Sequence, residues 1–346
     1  MTLVVHHPSM TRRQMLVAAV AALLAGACSG SASSSAAPST GPSLASPAPS
    51  ATVPSTTPSV TPTATASPAA GLVVGGDRPV TVHVPPAYDA SQPAPLLIYL
   101  HGYGGTGEQG DEYFGLGTRA VHDGFVYAAP DGTPDSEGNR FWNATEACCD
   151  FDSRGVDDVA YLTEVIDDIQ AELAIDPARI AFVGWSNGAF MSYRMACERA
   201  DRIAAIATLA GAISAEPAEC TPSEPVSVAH IHGTADDTIE YAGGTVFDEP
   251  DRPYPGAEAT ARAWATYDGC AATATTLDAR LDLEATLTDG GDPAETSVQE
   301  WSGCDAGVTV QLWTIPNGGH APSVTSAFAD SVLRFLTDHP KPGVAS

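Results

Sequence analysis

Residues 179–198 read RIAFVGWSNGAFMSYRMACE, and no other stretch constrains the fold as tightly. It opens as an uninterrupted apolar run, passes through Gly184-Trp185-Ser186-Asn187-Gly188, and continues at helical spacing. A Gly-x-Ser-x-Gly alone is common. Between a buried strand and a helix it describes a sharp turn in which a Cβ at either glycine would collide with crowded backbone, and which holds the serine at the helix N-terminus. Ser186 is therefore the candidate nucleophile, and its setting implies a sheet whose strands are covered on both faces.

The rest of the chain reads consistently with that. Residues 80–84 alternate as an early antiparallel strand, while 95–101 (PLLIYLH) and 125–129 are continuous apolar runs suited to a sheet interior. Residues 156–173 place Val159, Leu162, Val165, Ile166, Ile169 and Leu173 at helical spacing, with acidic residues at the start, where the helix dipole favours them. Strand 179–185, helix 187–200, a strand or buried segment at 203–209 and a strand at 226–232 follow, then a strand at 308–314 and an amphipathic helix at 324–338. The alternation predicts the α/β class: a mainly parallel, doubly wound sheet flanked by helices, in a single domain of residues 72–346.

Serine is a poor nucleophile at neutral pH and needs a histidine base held by a carboxylate. Of nine histidines, only His230, His232 and His320 lie between Ser186 and the terminal His339. His320 alone sits in a glycine-flanked loop (PNGGHAPS) after an expected strand and before the last expected helix. Strand 226–232 leads into Gly233-Thr234-Ala235-Asp236-Asp237, so a carboxylate emerges just past a strand end; Asp236 is the candidate and Asp237 its competitor. Two backbone N–H donors for an oxyanion are expected from Asn187, directly after the nucleophile, and from Tyr103 in the loop His101-Gly102-Tyr103-Gly104-Gly105. Trp142, Tyr103 and Trp185 either line a pocket or belong to the core. Asp150, Asp152, Asp157 and Asp158 crowd one loop and a helix start; their spacing matches no calcium loop, so capping is expected and no metal or other cofactor is called for.

The N-terminus carries an address. Arg12 and Arg13 precede an uncharged apolar run of residues 15–27, too short to span a bilayer, which predicts an export signal over 1–28 and suits the twin-arginine route. Ala25-Gly26-Ala27-Cys28 resembles a lipobox, although Leu24 stands one place early, so Cys28 is the expected lipidation site. Residues 29–71 are almost wholly Ser, Ala, Pro, Thr and Gly, without charge or aromatics, and read as a tether to a membrane-anchored domain. The expected protein is secreted, held at the membrane only by its lipid, and monomeric. A net charge of −27, from 42 acidic and 15 basic residues, argues against nucleic acid as a partner. Beyond Cys28 six cysteines remain, an even number that in an exported chain favours disulfides. Fifteen pairings are open to six cysteines. Cys270 with Cys304 is preferred because they bracket a polar, acidic insertion, 278–302.

Taken together, HGYGG, FWNATEACCDF with GVDDVAYL, RIAFVGWSNGAFMSYRMACE, HIHGTADDTIEY and PNGGH resemble the secreted poly(3-hydroxybutyrate) depolymerase and feruloyl or acetylxylan esterase-like family over about residues 78–338. The resemblance implies an α/β-hydrolase fold and a carboxylic ester hydrolase acting on small or polymeric esters. It also implies Ser186, Asp236 and His320 as triad, with Tyr103 and Asn187 at the oxyanion. One departure stands out: family members commonly follow the histidine with Thr-Trp-Pro, whereas His320 is followed by Ala321, Pro322 and Ser323, which removes an aromatic wall and puts polymer specificity in question. The rivals are a peptidase of the prolyl-oligopeptidase type, which normally carries a second domain, and a non-catalytic wall-associated binding lipoprotein.

Overall fold

A strand that is apolar at every position must meet two cores, and residues 94–100 do. The computed structural model of the protein describes residues 71–343; the export segment, Cys28 and residues 29–70 lie outside the described residues. The chain runs β1 (Leu72–Val74), β2 (Val80–His83), β3 (Ala94–Leu100), α1 (Gly107–Phe114), α2 (Leu116–His122), β4 (Val126–Ala128), the short pair β5 (Thr133–Pro134) and β6 (Arg140–Phe141), α3 (Asp158–Glu172), β7 (Ile175–Trp185) and α4 (Asn187–Glu198). It continues with β8 (Ala205–Leu209), β9 (Ser227–Gly233), the pair β10 (Gly243–Thr245) and β11 (Pro253–Pro255), α5 (Ala257–Tyr267), β12 (Thr275–Thr276), β13 (Ser297–Trp301), β14 (Val310–Ile315) and α6 (Ser326–Asp338).

On β3, Leu96, Ile98 and Leu100 join one apolar cluster and Leu97 and Tyr99 the other, all fully buried. The period-two alternation of side chains thus feeds both faces at once. The first cluster is completed by α3 (Val159, Leu162, Val165, Ile169), α4 (Phe190, Met191, Tyr193) and α5 (Trp264); the second by α1 and α2 (Phe114, Leu116, Ala120) and α6 (Phe328, Val332, Phe335). Each large apolar side chain so buried contributes roughly 1.5–3 kcal/mol.

Among the described residues ten strands form one sheet in the order β1-β2-β4-β3-β7-β8-β9-β14-β13-β12. The six strands from β4 to β14 are parallel to their neighbours, and the antiparallel pairs sit at the two edges. The expected doubly wound sheet is present. After β3 the chain moves outward to β4, then crosses back through α3 to β7 on β3's other side. The loops leaving β3 and β7 therefore diverge at one point of the sheet's C-terminal edge, where open α/β sheets form their clefts.

The cysteines pair as Cys148–Cys149, Cys197–Cys220 and Cys270–Cys304. The third is the preferred pairing, and a cross-link over its 34-residue separation stabilises by about 3–4 kcal/mol in the chain-entropy account. No helix among the described residues is long and apolar enough to cross a membrane.

Candidate active site

The sequence around Ser186 dictates an unusual backbone. Ser186 has φ 54° and ψ −122°, outside the regions open to most L-residues, so the fold holds it there against local preference. Gly184 and Gly188 make that possible. A Cβ on Gly184 would stand 2.1 Å from the Gly188 carbonyl oxygen, and one on Gly188 would stand 2.0 Å from the Leu100 carbonyl oxygen. Both glycines are required by close approach, as the motif predicts. Ser186 N–H bonds the Leu209 carbonyl at 2.9 Å, tying the turn to β8, and the serine stands at the N-terminus of α4 with only 8% of its surface exposed.

His320 arrives from the loop after β14. Its Nε2 lies 3.0 Å from Ser186 Oγ and its Nδ1 lies 2.9 and 3.1 Å from the two carboxylate oxygens of Asp236. Asp236 follows β9 and is itself held: Oδ1 accepts the N–H groups of Thr238 and Ile239, both at 2.9 Å. Burial alone would raise its pKa, but the facing His320 and the hydrogen bonds from His232 and His320 hold it well below the ordinary carboxylate range. Asp237, the competitor, is exposed and lies 3.5 Å from the Thr238 hydroxyl. The structure thus brings Ser186, His320 and Asp236 into one relay.

Of the two expected oxyanion donors, Asn187 directly follows the serine, and Tyr103 belongs to the loop that packs against it. Asn187 is the first residue of α4, a position with no intrahelical acceptor for its N–H. Its side chain is locked between Trp142 N–H (2.7 Å), the Trp142 carbonyl (2.9 Å) and Cys148 Sγ (3.5 Å), which fixes that backbone. The His101–Gly105 loop lies against the serine from the β3 side: a Cβ on Gly102 would meet Ser186 Cβ at 3.3 Å and the Trp185 ring at 3.2 Å. His101 braces it, donating Nδ1–H to the Gly102 carbonyl (2.7 Å) and accepting Gly132 N–H at Nε2 (2.9 Å); burial lowers its pKa to about 4 and keeps the ring neutral. The Tyr103 hydroxyl donates to Asp135.

The aromatic question resolves toward the core. Trp142 is wholly buried, donates to the His101 carbonyl at 3.2 Å and stacks on Tyr161. Trp185 is buried and donates to the His320 carbonyl at 2.9 Å, so it supports the histidine loop. The four aspartates serve backbone and cation: Asp157 caps α3 through Ala160 N–H, Asp158 pairs with Arg78 at 2.7 Å, Asp150 accepts Arg154 and Gly155 N–H, and Asp152 accepts Ser136 N–H. A cavity of about 630 Å³ opens beside α4, lined in part by Asn143, Glu146, Arg194 and Ser214, and includes neither Ser186 nor His320.

The chain is similar to several known proteins. The sequence profile of the Phospholipase/Carboxylesterase family matches residues 87–250. Feruloyl esterase B of Piromyces equi is 30% identical over 267 residues, covering 75% of this chain and 45% of that protein. The chain has the α/β-hydrolase fold and is similar to esterases. The esterase-named NocK of Nocardia uniformis subsp. tsuyamanensis is 29% identical over 272 residues, covering 76% of each chain. Among solved structures, acetyl xylan esterase from Aspergillus awamori shares the fold with a TM-score of 0.52 at 16% identity, covering 75% of this chain and 94% of that one. The chain therefore spans less than half of the Piromyces protein and most of the other two.

Three supports of this α/β-hydrolase's site are absent from the sequence reading. Tyr113 of α1 donates its hydroxyl to the Pro322 carbonyl at 2.8 Å. Glu284, from the acidic insertion, accepts Ser323 N–H at 2.7 Å. His232 approaches Asp236 Oδ2 at 3.4 Å. The first two come from segments distant in sequence and carry no local signal. His232 did have one: two histidines at alternate positions of a strand expected to be buried.

Proposed function

We propose that the chain is an extracellular serine carboxylic ester hydrolase working through an acyl-enzyme, with Ser186, His320 and Asp236 as its triad. The observation that carries this reading is the relay itself, Oγ to Nε2 at 3.0 Å and Nδ1 to carboxylate at 2.9 Å, seated where the loops leaving β3 and β7 diverge. In the proposed cycle His320 Nε2 takes the Ser186 proton as Oγ bonds to the ester carbonyl carbon. Asp236 stabilises the imidazolium that results. The carbonyl oxygen becomes an oxyanion and accepts the N–H groups of Tyr103 and Asn187, the latter at the positive end of α4. Collapse breaks the bond to the alcohol, which leaves with the proton from His320. Water then repeats the sequence on the acyl-enzyme, releasing the acid and restoring Ser186.

The substrate class we infer is a feruloyl or acetyl ester of plant origin, the class named in the relatives; a polyhydroxyalkanoate ester is the second reading, carried by the family resemblance. Residues 72–346 constitute the proposed catalytic domain, 29–71 its tether and Cys28 its lipid attachment point after export. The test compares wild type with Ser186→Ala on p-nitrophenyl acetate, methyl ferulate and 3-hydroxybutyrate oligomers. Loss of at least about a thousandfold in kcat for the variant is expected on whichever ester the wild type turns over. Equal rates for the two proteins, or no turnover of any ester, would overturn the reading in favour of a binding role. Cleavage of a proline-containing peptide in place of these esters would favour the peptidase.

A further inference from the structure

His230 and His232 sit at alternate positions of β9, so both project to the face covered by α4 and α5, and both are at most 1% exposed. A buried strand asks for apolar residues at such positions. The two imidazoles instead form a chain. His232 Nε2 lies 2.7 Å from the Ile239 carbonyl and 3.4 Å from Asp236 Oδ2. His232 Nδ1 lies 3.2 Å from His230 Nε2, and His230 Nδ1 lies 2.9 Å from the Tyr193 hydroxyl and 3.2 Å from the Thr208 hydroxyl.

Only one neutral arrangement satisfies these contacts. A carbonyl and a carboxylate accept and never donate, so His232 must carry its proton on Nε2. Its Nδ1 is then an acceptor, which requires the proton of His230 on Nε2 and leaves His230 Nδ1 to accept from Tyr193 or Thr208. Every donor points the same way, toward Asp236. The end of the chain meets the turn that holds the carboxylate, since the residue whose carbonyl His232 binds, Ile239, gives its own N–H to Asp236 Oδ1.

We propose that His232 is a positioning residue for the Asp236–His320 couple, and that His230, Tyr193 and Thr208 set its tautomer. This rests on the triad reading above. The groups facing the pair are Asp236 with His320 beyond it, the Tyr193 and Thr208 hydroxyls, and the Tyr241 ring 5.6 Å from His232, whose hydroxyl is engaged by Thr314. Burial first, and then the neighbouring His232, hold the pKa of His230 well below its ordinary value, in keeping with a neutral His230 ring. Without the N–H beside it, the Asp236 carboxylate becomes more basic and favours the His320 imidazolium, while the 236–239 turn loses its anchor.

The experiment measures kcat and KM for p-nitrophenyl acetate against pH in wild type, His232→Phe, His232→Gln and Ser186→Ala. For His232→Phe the expected result is a fall in kcat of about tenfold or more with KM little changed, and an acid limb of kcat/KM displaced toward neutrality. Gln, which can place an N–H near the Nε2 position, is expected to restore most of both. Unchanged kcat and limb in the Phe variant, or a loss that Gln does not relieve with the limb unmoved, overturns the proposal. Turnover surviving in Ser186→Ala overturns the triad reading instead. Should the Phe variant fail to fold, nitrogen-15 histidine spectra of the wild type decide. Protons on Nε2 of both rings at about pH 8, where imidazole is neutral, and a His232 Nε2–H resonance that moves in Asp236→Asn, support the proposal; an Nδ1–H tautomer of His232 refutes it.

Discussion

Asp268, at the C-terminal end of α5, shows what one residue can do to the whole. It is fully buried; one carboxylate oxygen lies 3.3 Å from Val226 N–H, and the other meets no hydrogen-bond partner. Burial pushes its pKa up to about 7, and nearby Asp305 acts in the same direction. Its folded pKa exceeds its unfolded one, so the folded state holds an extra proton between about pH 4 and 7. That contribution is complete at low pH and is lost as pH rises through this window. Asp268→Asn is expected to raise the thermal midpoint at pH 8 and to change it little at pH 4; an equal change at both would show that the carboxyl's charge is not the cause. The residues of the candidate triad were legible because each stands in a local pattern. Ser186 lies between two obligatory glycines, His320 in a glycine-flanked loop, and Asp236 just past a strand end. The unpaired oxygen of Asp268 had no such mark, since burial is a property of what packs around a residue.

Among the elements, the segment between Cys270 and Cys304 turns out to be a clasp as well as a polar insertion. It supplies β13, which pairs antiparallel with β14, and folds its remainder over the loop bearing His320. The buried Glu295 accepts Leu283 and Glu284 N–H and the Thr296 hydroxyl, at 3.2, 3.1 and 2.5 Å. Glu284 in turn accepts Ser323 N–H, while Ala285 N–H reaches the Ser323 carbonyl and Thr325 N–H the Leu283 carbonyl, at 2.7 and 3.0 Å. The clasp thus steadies Ala321-Pro322-Ser323, directly after His320, by hydrogen bonds. Glu284→Ala leaves Ser323 N–H unpaired and is expected to lower kcat by about tenfold and stability by about 1–3 kcal/mol. Steady-state kinetics and urea unfolding check this, and unchanged kcat would reduce the clasp to a purely stabilising role. α1 and α2 went unread for a related reason. Their glycines argue against helix, yet a Cβ on Gly110 would stand 2.3 Å from the Tyr99 hydroxyl and one on Gly117 2.4 Å from the Tyr127 ring. Close packing on the sheet overrides propensity there.

At the scale of the molecule, the response to acid follows from histidines kept neutral inside. Burial lowers His101 to about 4 and His230 well below its ordinary value, so at these two sites the unfolded chain binds more protons than the folded one below about pH 6.5. Their contribution is complete above that pH and is lost as pH falls toward 4. Asp268 works in the opposite sense over part of the same range, and so does relief of repulsion in a chain of net charge −27, which salt screens. In salt high enough to suppress that repulsion, the thermal midpoint is expected to fall between pH 7 and 4, and more steeply in Asp268→Asn than in wild type. A midpoint rising toward pH 4 in both proteins would show that the buried histidines do not govern acid stability. The sequence by itself determined the class of fold, the order of the central strands along the chain and the three candidate triad residues, and left the Cys270–Cys304 pairing as a preference. These follow from hydrophobic period, turn chemistry and short-range order, all of which are local. Only the tertiary structure decided that Trp142 and Trp185 face inward as supports, that the acidic insertion grips the histidine loop, and that two histidines of β9 point one line of hydrogen bonds at Asp236. Those facts depend on which segments, remote along the chain, the sheet brings within hydrogen-bonding distance.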